Sequence, residues 1–338
     1  MADGFFSIER MEEGDLDTVA EVIDEGFADV FKWLLGKVPS GKSEGLRVRR
    51  RFYRPNTASM VLKDERRAIQ GVFYLQAMGT RGACGPLALR PAYDTRMAAR
   101  ALATAGLLAG MKMGCKAIDG VTFPQSPTHL SLHFAFSDPM FPAPFVVKDM
   151  TKRRAGGAAA QGLIVLPMSS LDPARTDKTL GEMAHITDRF MAGFDLTLDA
   201  RHVVGQKLGE TLVIVDGDRV LGFAVCHFGA GSEAFADDQL LIKHVYVSES
   251  APNPSAVFGH LLRHVETIAV EAGLRTVGLM VSAGRRSMLR FLFDRDYVAT
   301  EVHQHWAGRC PMPGEPVRSV GSDVASIQPT QFGASELR

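Results

Sequence analysis

The chain has 338 residues, 46% of them hydrophobic and 22% charged, with a formal net charge of zero. That is an ordinary globular composition with room for two domains, and nothing in it favours nucleic acid or an anionic membrane as a partner. Four scattered cysteines without CxxC spacing argue against a disulfide or zinc framework, and the absence of a long apolar run or a leader-like N-terminus points to a cytoplasmic protein.

In chain order, residues 5–11 alternate enough for a first strand, and residues 16–27 carry Leu16, Val19, Val22, Ile23 and Phe27 at helical spacing. Residues 31–35 and 46–53 suggest a second, less regular helical region. Its basic run 47–54, like the run 152–154, reads as solvated charge. Residues 59–64 and 69–78 read as strands joined by a charged turn, with Gly71 marking a bulge or a close backbone approach. The stretch from Gly82 to Phe123 then organises the first half. A strand over 85–89 stops at Arg90-Pro91, and Asp94 or Thr95 stands at a helix N-cap position. Met97, Ala98, Ala101, Leu102, Ala105 and Leu108 make a helical stripe, Gly114 closes it, and residues 116–123 resume as strand. Strand–helix–strand at this spacing is a βαβ unit, and the start of its helix is a place to hold an anion. A short helix over 128–136 and a strand over 144–150 follow.

Residues 152–161 are Gly/Ala-rich and aperiodic, as expected of an interdomain linker. Beyond them come a strand at 162–167, a helix over 180–190, and a hairpin from 212–215 to 220–226 around Asp216-Gly217-Asp218. A partial echo of the βαβ unit follows: strand 240–247, a helical stripe from Val257 to Ala269, Gly273, and strand 276–281. Residues 287–293 read as helix, 297–306 as strand, and 310–338 as an irregular tail. Two copies of one unit suggest two tandem domains of the same fold, 1–151 and 162–309.

In this order the elements resemble the GNAT superfamily of acyl-CoA-dependent N-acetyltransferases, and its tandem members most closely. DGDRVLGFAVCHF (216–228) matches the family's β2–β3 hairpin, and RRSMLRFLFDRDY (285–297) resembles its final helix. GPLALRPAYDTRMAARAL (85–102) looks like its fourth strand, pyrophosphate loop and third helix. The resemblance covers about residues 5–306. It implies an α+β fold of two GNAT-like domains, each with a mixed, mostly antiparallel sheet flanked by helices. It also implies acetyl-CoA or another acyl-CoA as co-substrate and a small-molecule or peptide amine as acceptor, and it allows a homodimer.

Carried over residue by residue, the resemblance places CoA on the backbone of Leu87, Ala88 and Leu89 and on Arg90, Thr95, Arg96, Met97, Ala98, Ala99 and Arg100. The family's loop, Arg/Gln-x-x-Gly-x-Gly/Ala, is kept only at Ala99; Asp94 and Met97 replace the first two motif residues, and the three arginines stand in as phosphate partners. The equivalent second loop has Asn253, Ala256 and Phe258, with Pro252 and Pro254 removing N–H donors, and is the poorer cradle. The family's acidic tyrosine falls near His133 in the first half and at Leu292 in the second. Asp238, beside Asp237 and ahead of a strand containing His244, is the general-base candidate. His133 also reads as an ordinary surface or core histidine, and Asp238 as solvated. The i,i+4 pairs His129/His133 and His260/His264 lack the Glu of a metal motif and read as exposed faces, while Met97, Met111 and Met113 read as core. Two functions stay open: an N-acyltransferase, and a non-catalytic acyl-CoA-binding or regulatory relative.

Overall fold

The computed structural model describes residues 6–35, 41–122, 141–152 and 163–309. The expected helix 128–136, the linker from 153 onward and the tail from 310 lie outside them. The first half contains β1 (Phe6–Arg10), α1 (Leu16–Gly26), α2 (Ala28–Leu35), α3 (Gly41–Phe52), β2 (Thr57–Asp64), β3 (Ile69–Met78), β4 (Arg81–Leu89), α4 (Arg96–Lys112), β5 (Ala117–Thr122) and β6 (Phe141–Asp149). The second contains β7 (Ile164–Pro167), α5 (Pro173–Phe190), α6 (Thr197–Gly205), β8 (Gly209–Asp216), β9 (Arg219–His227), β10 (Gln239–Val247), α7 (Pro254–Glu271), β11 (Thr276–Met280), α8 (Arg286–Phe293) and β12 (Val298–Arg309). The expectations hold for most elements. β4 begins earlier than expected, a 3-10 turn (Pro91–Tyr93) separates it from α4, and α6 was not anticipated.

Among the described residues the strands form one sheet, in the order β1-β2-β3-β4-β5-β12-β6-β11-β10-β9-β8-β7. Two neighbours are parallel, β4 with β5 and β10 with β11; the others are antiparallel. Each parallel pair is joined through one helix, α4 or α7, as a parallel connection requires. The centre of the sheet is an exchange. β6 pairs with β11 of the second half, and β12, the last described strand, pairs with β5 of the first. The halves are therefore stitched together by backbone hydrogen bonds.

Each half of the sheet is covered on both faces. In the first, α4 lays Ala98, Ala99, Leu102, Ala103 and Leu107 on Met60, Leu62, Phe73 and Leu75, while α1 packs Leu16, Val19 and Ile23 against Val61, Val72 and Tyr74. In the second, α7 covers one face through Val257, Leu261 and Val265. Helices α5 and α6 cover the other through Leu180, Met183 and Val203, in a cluster that also takes in Met78 of β3. Each fully buried Leu or Val of these layers contributes roughly 1.5–3 kcal/mol.

Candidate functional site

Both halves build the same backbone device. In the first, β4 and β5 pair over four residues, Arg81–Cys84 against Ala117–Gly120, and the β3–β4 register then shifts between Phe73 and Leu75. In the second, β10 and β11 pair over four residues, Gln239–Ile242 against Thr276–Leu279, and the β9–β10 register shifts at Lys243. Past the bulge each strand keeps one partner and leaves its other edge without a described strand. Counted from the last residue of each parallel ladder, Cys84 or Ile242, Lys243 and His244 stand where the first fork has Gly85 and Pro86, and Leu87, opposite Phe73, corresponds to Val245, opposite Ala224.

At the second fork the bulge has a chemical effect. A bulge puts two consecutive residues opposite one and so turns both toward one side. Lys243 Nζ and His244 Nε2 both reach Asp199 Oδ2 on α6, at 3.3 and 3.7 Å. Asp199 is 1% exposed, and Arg54, just after α3, meets its Oδ1 at 3.2 Å. Arg54 also binds Gln76 at 2.9 Å, while Glu233 pairs with Arg51 at 2.8 Å. Burial alone would raise the Asp199 carboxyl, but Lys243 and Arg54 hold it well below the ordinary carboxylate range. Burial, then the charge of Lys243, pushes His244 down to about 3 and His227 to about 3; burial, then Arg54, pushes His202 to about 4. All three imidazoles are neutral at pH 7. The Nε2 atoms of His202, His227 and His244 are buried without a hydrogen-bond partner.

Most of this cluster escaped the sequence. Arg47 and Arg54, read as part of a solvated face, are 8% and 7% exposed; Arg47 donates to Ser232 O and Ala234 O across the seam between the halves. Asp199 lies on the helix that periodicity did not reveal. The usable signal was Lys243-His244, two polar residues interrupting the apolar strand LLIKHVYV.

At the first fork, the expected CoA residues are in place as a strand and a helix start. Thr95 is the N-cap of α4, its Oγ1 accepting from Ala98 N at 3.2 Å. Thr95 N is taken by Tyr93 O at 2.7 Å, so two of the four donors at this start are already satisfied. Ala98 and Ala99 are 2% and 0% exposed: their smallness serves core packing, and they do not face a ligand. Met97, read as core, is half exposed. Arg90 is held by Glu25, at 2.6 and 2.8 Å, and by Glu21 at 3.5 Å, so an anion there would compete with two carboxylates. Helix α1 comes so close that a Cβ on Gly26 would lie 2.7 Å from Leu89 O.

His133 lies outside the described residues. Asp238 is exposed at the opening of β10, where β10 and β11 are still joined, and its carbonyl accepts from Arg275 and Thr276 N–H groups. It therefore stands at the opposite end of β10 from the fork's open side. Leu292, at the family's tyrosine position, is fully buried. Phe258 turns its bulk into the core against Phe291, ring centroids 5.2 Å apart. His260 and His264 do meet, at 4.7 Å between rings, yet His260 is buried, which corrects its reading as exposed. Among the described residues no group of three or more His, Cys, Asp and Glu side chains could hold a metal ion. No described helix is long and apolar enough to cross a membrane.

No family model matches the chain, and no curated protein matches it in sequence. Solved structures do share its architecture. A tandem GNAT protein from the clavulanic acid biosynthesis pathway is 14% identical, with a TM-score of 0.60 over 91% of this chain and all of that one. A GCN5-related N-acetyltransferase from Sphaerobacter thermophilus is 12% identical, with a TM-score of 0.60 over 91% of this chain and 96% of that one. A glucosamine N-acetyltransferase region of a fungal multi-domain beta-N-acetylglucosaminidase is 13% identical, with a TM-score of 0.62 over 90% of this chain and 38% of that longer one. At such identities the likeness shows the fold: two GNAT units in tandem.

Proposed function

We propose that this chain is an N-acyltransferase that moves an acyl group, acetyl foremost, from acyl-CoA to an amine, with the reaction at the β10 bulge. The observation that carries this reading is His244. It is a neutral, unpartnered imidazole turned inward where a parallel ladder opens, beside a lysine and a buried carboxylate. Both forks suit the co-substrate in one respect, since each leaves a strand edge along which an amide-bearing pantetheine arm can pair.

Held near 3, His244 is too weak a base to strip an ammonium, so the acceptor reacts as its free amine. The imidazole accepts a hydrogen bond from that amine and aims its lone pair at the thioester carbonyl. The C–N bond forms, the C–S bond breaks, and the proton shed by nitrogen passes to the departing thiolate. The Lys243 ammonium supplies positive charge near the carbonyl oxygen as negative charge gathers there. Asp199 fixes the Lys243 side chain, from which it accepts a hydrogen bond at 3.3 Å.

The test is thiol release from acetyl-CoA with a panel of amines, for wild type and His244→Leu, which removes the imidazole and keeps an apolar side chain of similar size. The expected loss in kcat/KM is about 10²–10⁴-fold with CoA affinity kept. Equal rates would refute the assignment. CoA binding without turnover for any amine would establish the non-catalytic alternative.

One observation favours a second placement of CoA, at the first half. The α4 start has Arg96 as its first helical residue, where α7 has Pro254 and no donor. Calorimetry separates the two. Ser255→Glu puts a carboxylate at the α7 start, and Arg96→Ala with Arg100→Ala removes cations from α4; the change that weakens CoA binding marks its loop.

A further inference from the structure

A second feature lies on the seam, where α3 of the first half meets α6 of the second. A cleft of about 410 Å³ opens there, walled by Arg49, Arg50, Tyr53, His202 and Gln206, with Leu46 and Pro55 as apolar floor. Its charges are unevenly matched. Arg49 is paired with Asp17 at 2.8 Å, and Tyr53 gives its hydroxyl to Glu13. Arg50 instead donates through Nη1 to the neutral amide of Gln206, and its Nε–H is buried without a partner. His202, from the other half, contributes the second unpartnered buried nitrogen of the cleft. A half-buried guanidinium without a counter-ion is costly, and the edge it leaves here includes the Nε–H used in forked bonds to a carboxylate.

The cleft backs onto the proposed reaction centre. His202 follows Asp199 by three residues on α6, so the two share a helix face about 4.5 Å apart along its axis. Asp199 in turn holds Lys243 and lies 3.7 Å from His244 Nε2.

We propose that this seam cleft binds a carboxylate, through Arg50 and His202, and that the acceptor is accordingly a short molecule with an amine at one end and a carboxylate at the other. The second clause rests on the acyl-transfer reading; the first does not. Leu46 and Pro55 give the intervening methylenes an apolar bed. An amine lacking the carboxylate leaves Arg50 unmatched and is the poorer substrate.

Three probes test this on the full chain: hexanoate (carboxylate only), hexylamine (amine only) and 6-aminohexanoate (both). Calorimetry with hexanoate is run on wild type, Arg50→Gln and Arg50→Lys, each checked for an unchanged unfolding midpoint. Hexanoate should bind wild type and weaken at least tenfold in Arg50→Gln. Arg50→Lys, which keeps the charge without the fork, should fall between. In turnover, wild type should prefer 6-aminohexanoate to hexylamine by at least tenfold, and Arg50→Gln should bring that ratio to about one. Hexanoate binding that ignores Arg50, or no binding at all, overturns the site. Arg50-dependent hexanoate binding with no acetyl transfer to either amine upholds the carboxylate site and overturns only the acyl-transfer reading.

Discussion

The two forks share a backbone and differ in everything a substrate would meet. At the first, the bulge is Gly85-Pro86, which carries no ionisable side chain; at the second, Lys243 and His244 occupy those two places and converge on a buried aspartate. The second also carries the three neutral histidines, whereas the described residues up to 152 contain no histidine. Among the described residues the repeated fold thus preserves the splayed strands in both halves and gathers the unpartnered buried histidines in one. Architecture and chemistry are separable properties of the chain.

The largest expected effect that would break this contrast is acid sensitivity. His202, His227 and His244 have folded pKa values of about 4, 3 and 3, below the unfolded value of about 6.5, so the unfolded chain takes up protons first. Their stability is full above pH 6.5 and drains away as pH falls toward 4 and then 3, by up to about 1.4 kcal/mol per pH unit for each histidine. Urea midpoints should drop steeply across that window, with hydrogen exchange quickening first in α6 and β10; a flat profile, or first opening in α1 and β2, contradicts it. Next comes Asp199→Ala, which strands Arg54 and Lys243 and should cost about 3–5 kcal/mol. The matching truncation in the first half, Asp119→Ala, removes a carboxylate held by Arg81 at 2.7 and 2.8 Å and should cost about 1.5–3 kcal/mol. Equal losses in denaturant titrations would erase the distinction.

Smaller effects sharpen the comparison in the helices that close the two parallel units. A Cβ on Gly106 of α4 would overlap the Phe73 ring, which is fully buried and cannot swing aside. Gly106→Ala should therefore cost about 1–3 kcal/mol despite its better helix propensity. A Cβ on Gly259 of α7 would come within 3.0 Å of only Phe291 Cζ, at 2.9 Å. Phe291 is only half-buried and has room to give, so Gly259→Ala should be near neutral in thermal unfolding. Last, removing the caps by Thr95→Ala and Asn253→Ala should cost about 1 kcal/mol each. Helical circular dichroism during mild urea titration would expose a difference between them.

What the sequence made legible was local. Thr95 as a cap, the Asp216-Gly217-Asp218 turn and the Gly71 bulge each depend on residues within a few positions, and each appears as expected. Helix α6 was missed because TLDARHVVG buries Asp199 beside Ala200 and Val203, so a charge interrupts the apolar stripe. The exchange of β6 and β12 leaves no trace in periodicity, since either strand fits either edge by pattern alone. The candidate site was the least legible part. Arg54 reads as one of a run of solvated charges and Asp199 carries no signal at all, and only the docking of α3 on α6 turns them into a pair that desolvates both. Sequence motifs pointed instead to the α4 start, where Arg90 proves to be spoken for by α1.

The crossing of β12 into the first half has a consequence for how the polypeptide is made. Strand β5 emerges from the ribosome long before β12, so one edge of the first sheet waits for its partner for roughly 10–40 s at ordinary rates of synthesis. During that interval β5 exposes unpaired backbone to other nascent chains or to chaperones. Val298 and Val302, exposed on the finished sheet, belong to the strand that ends this wait. A nonsense codon just ahead of Val298 would delete no residue of either fork, yet it would leave a polypeptide in which β5 never gains the partner that joins the two halves of the sheet.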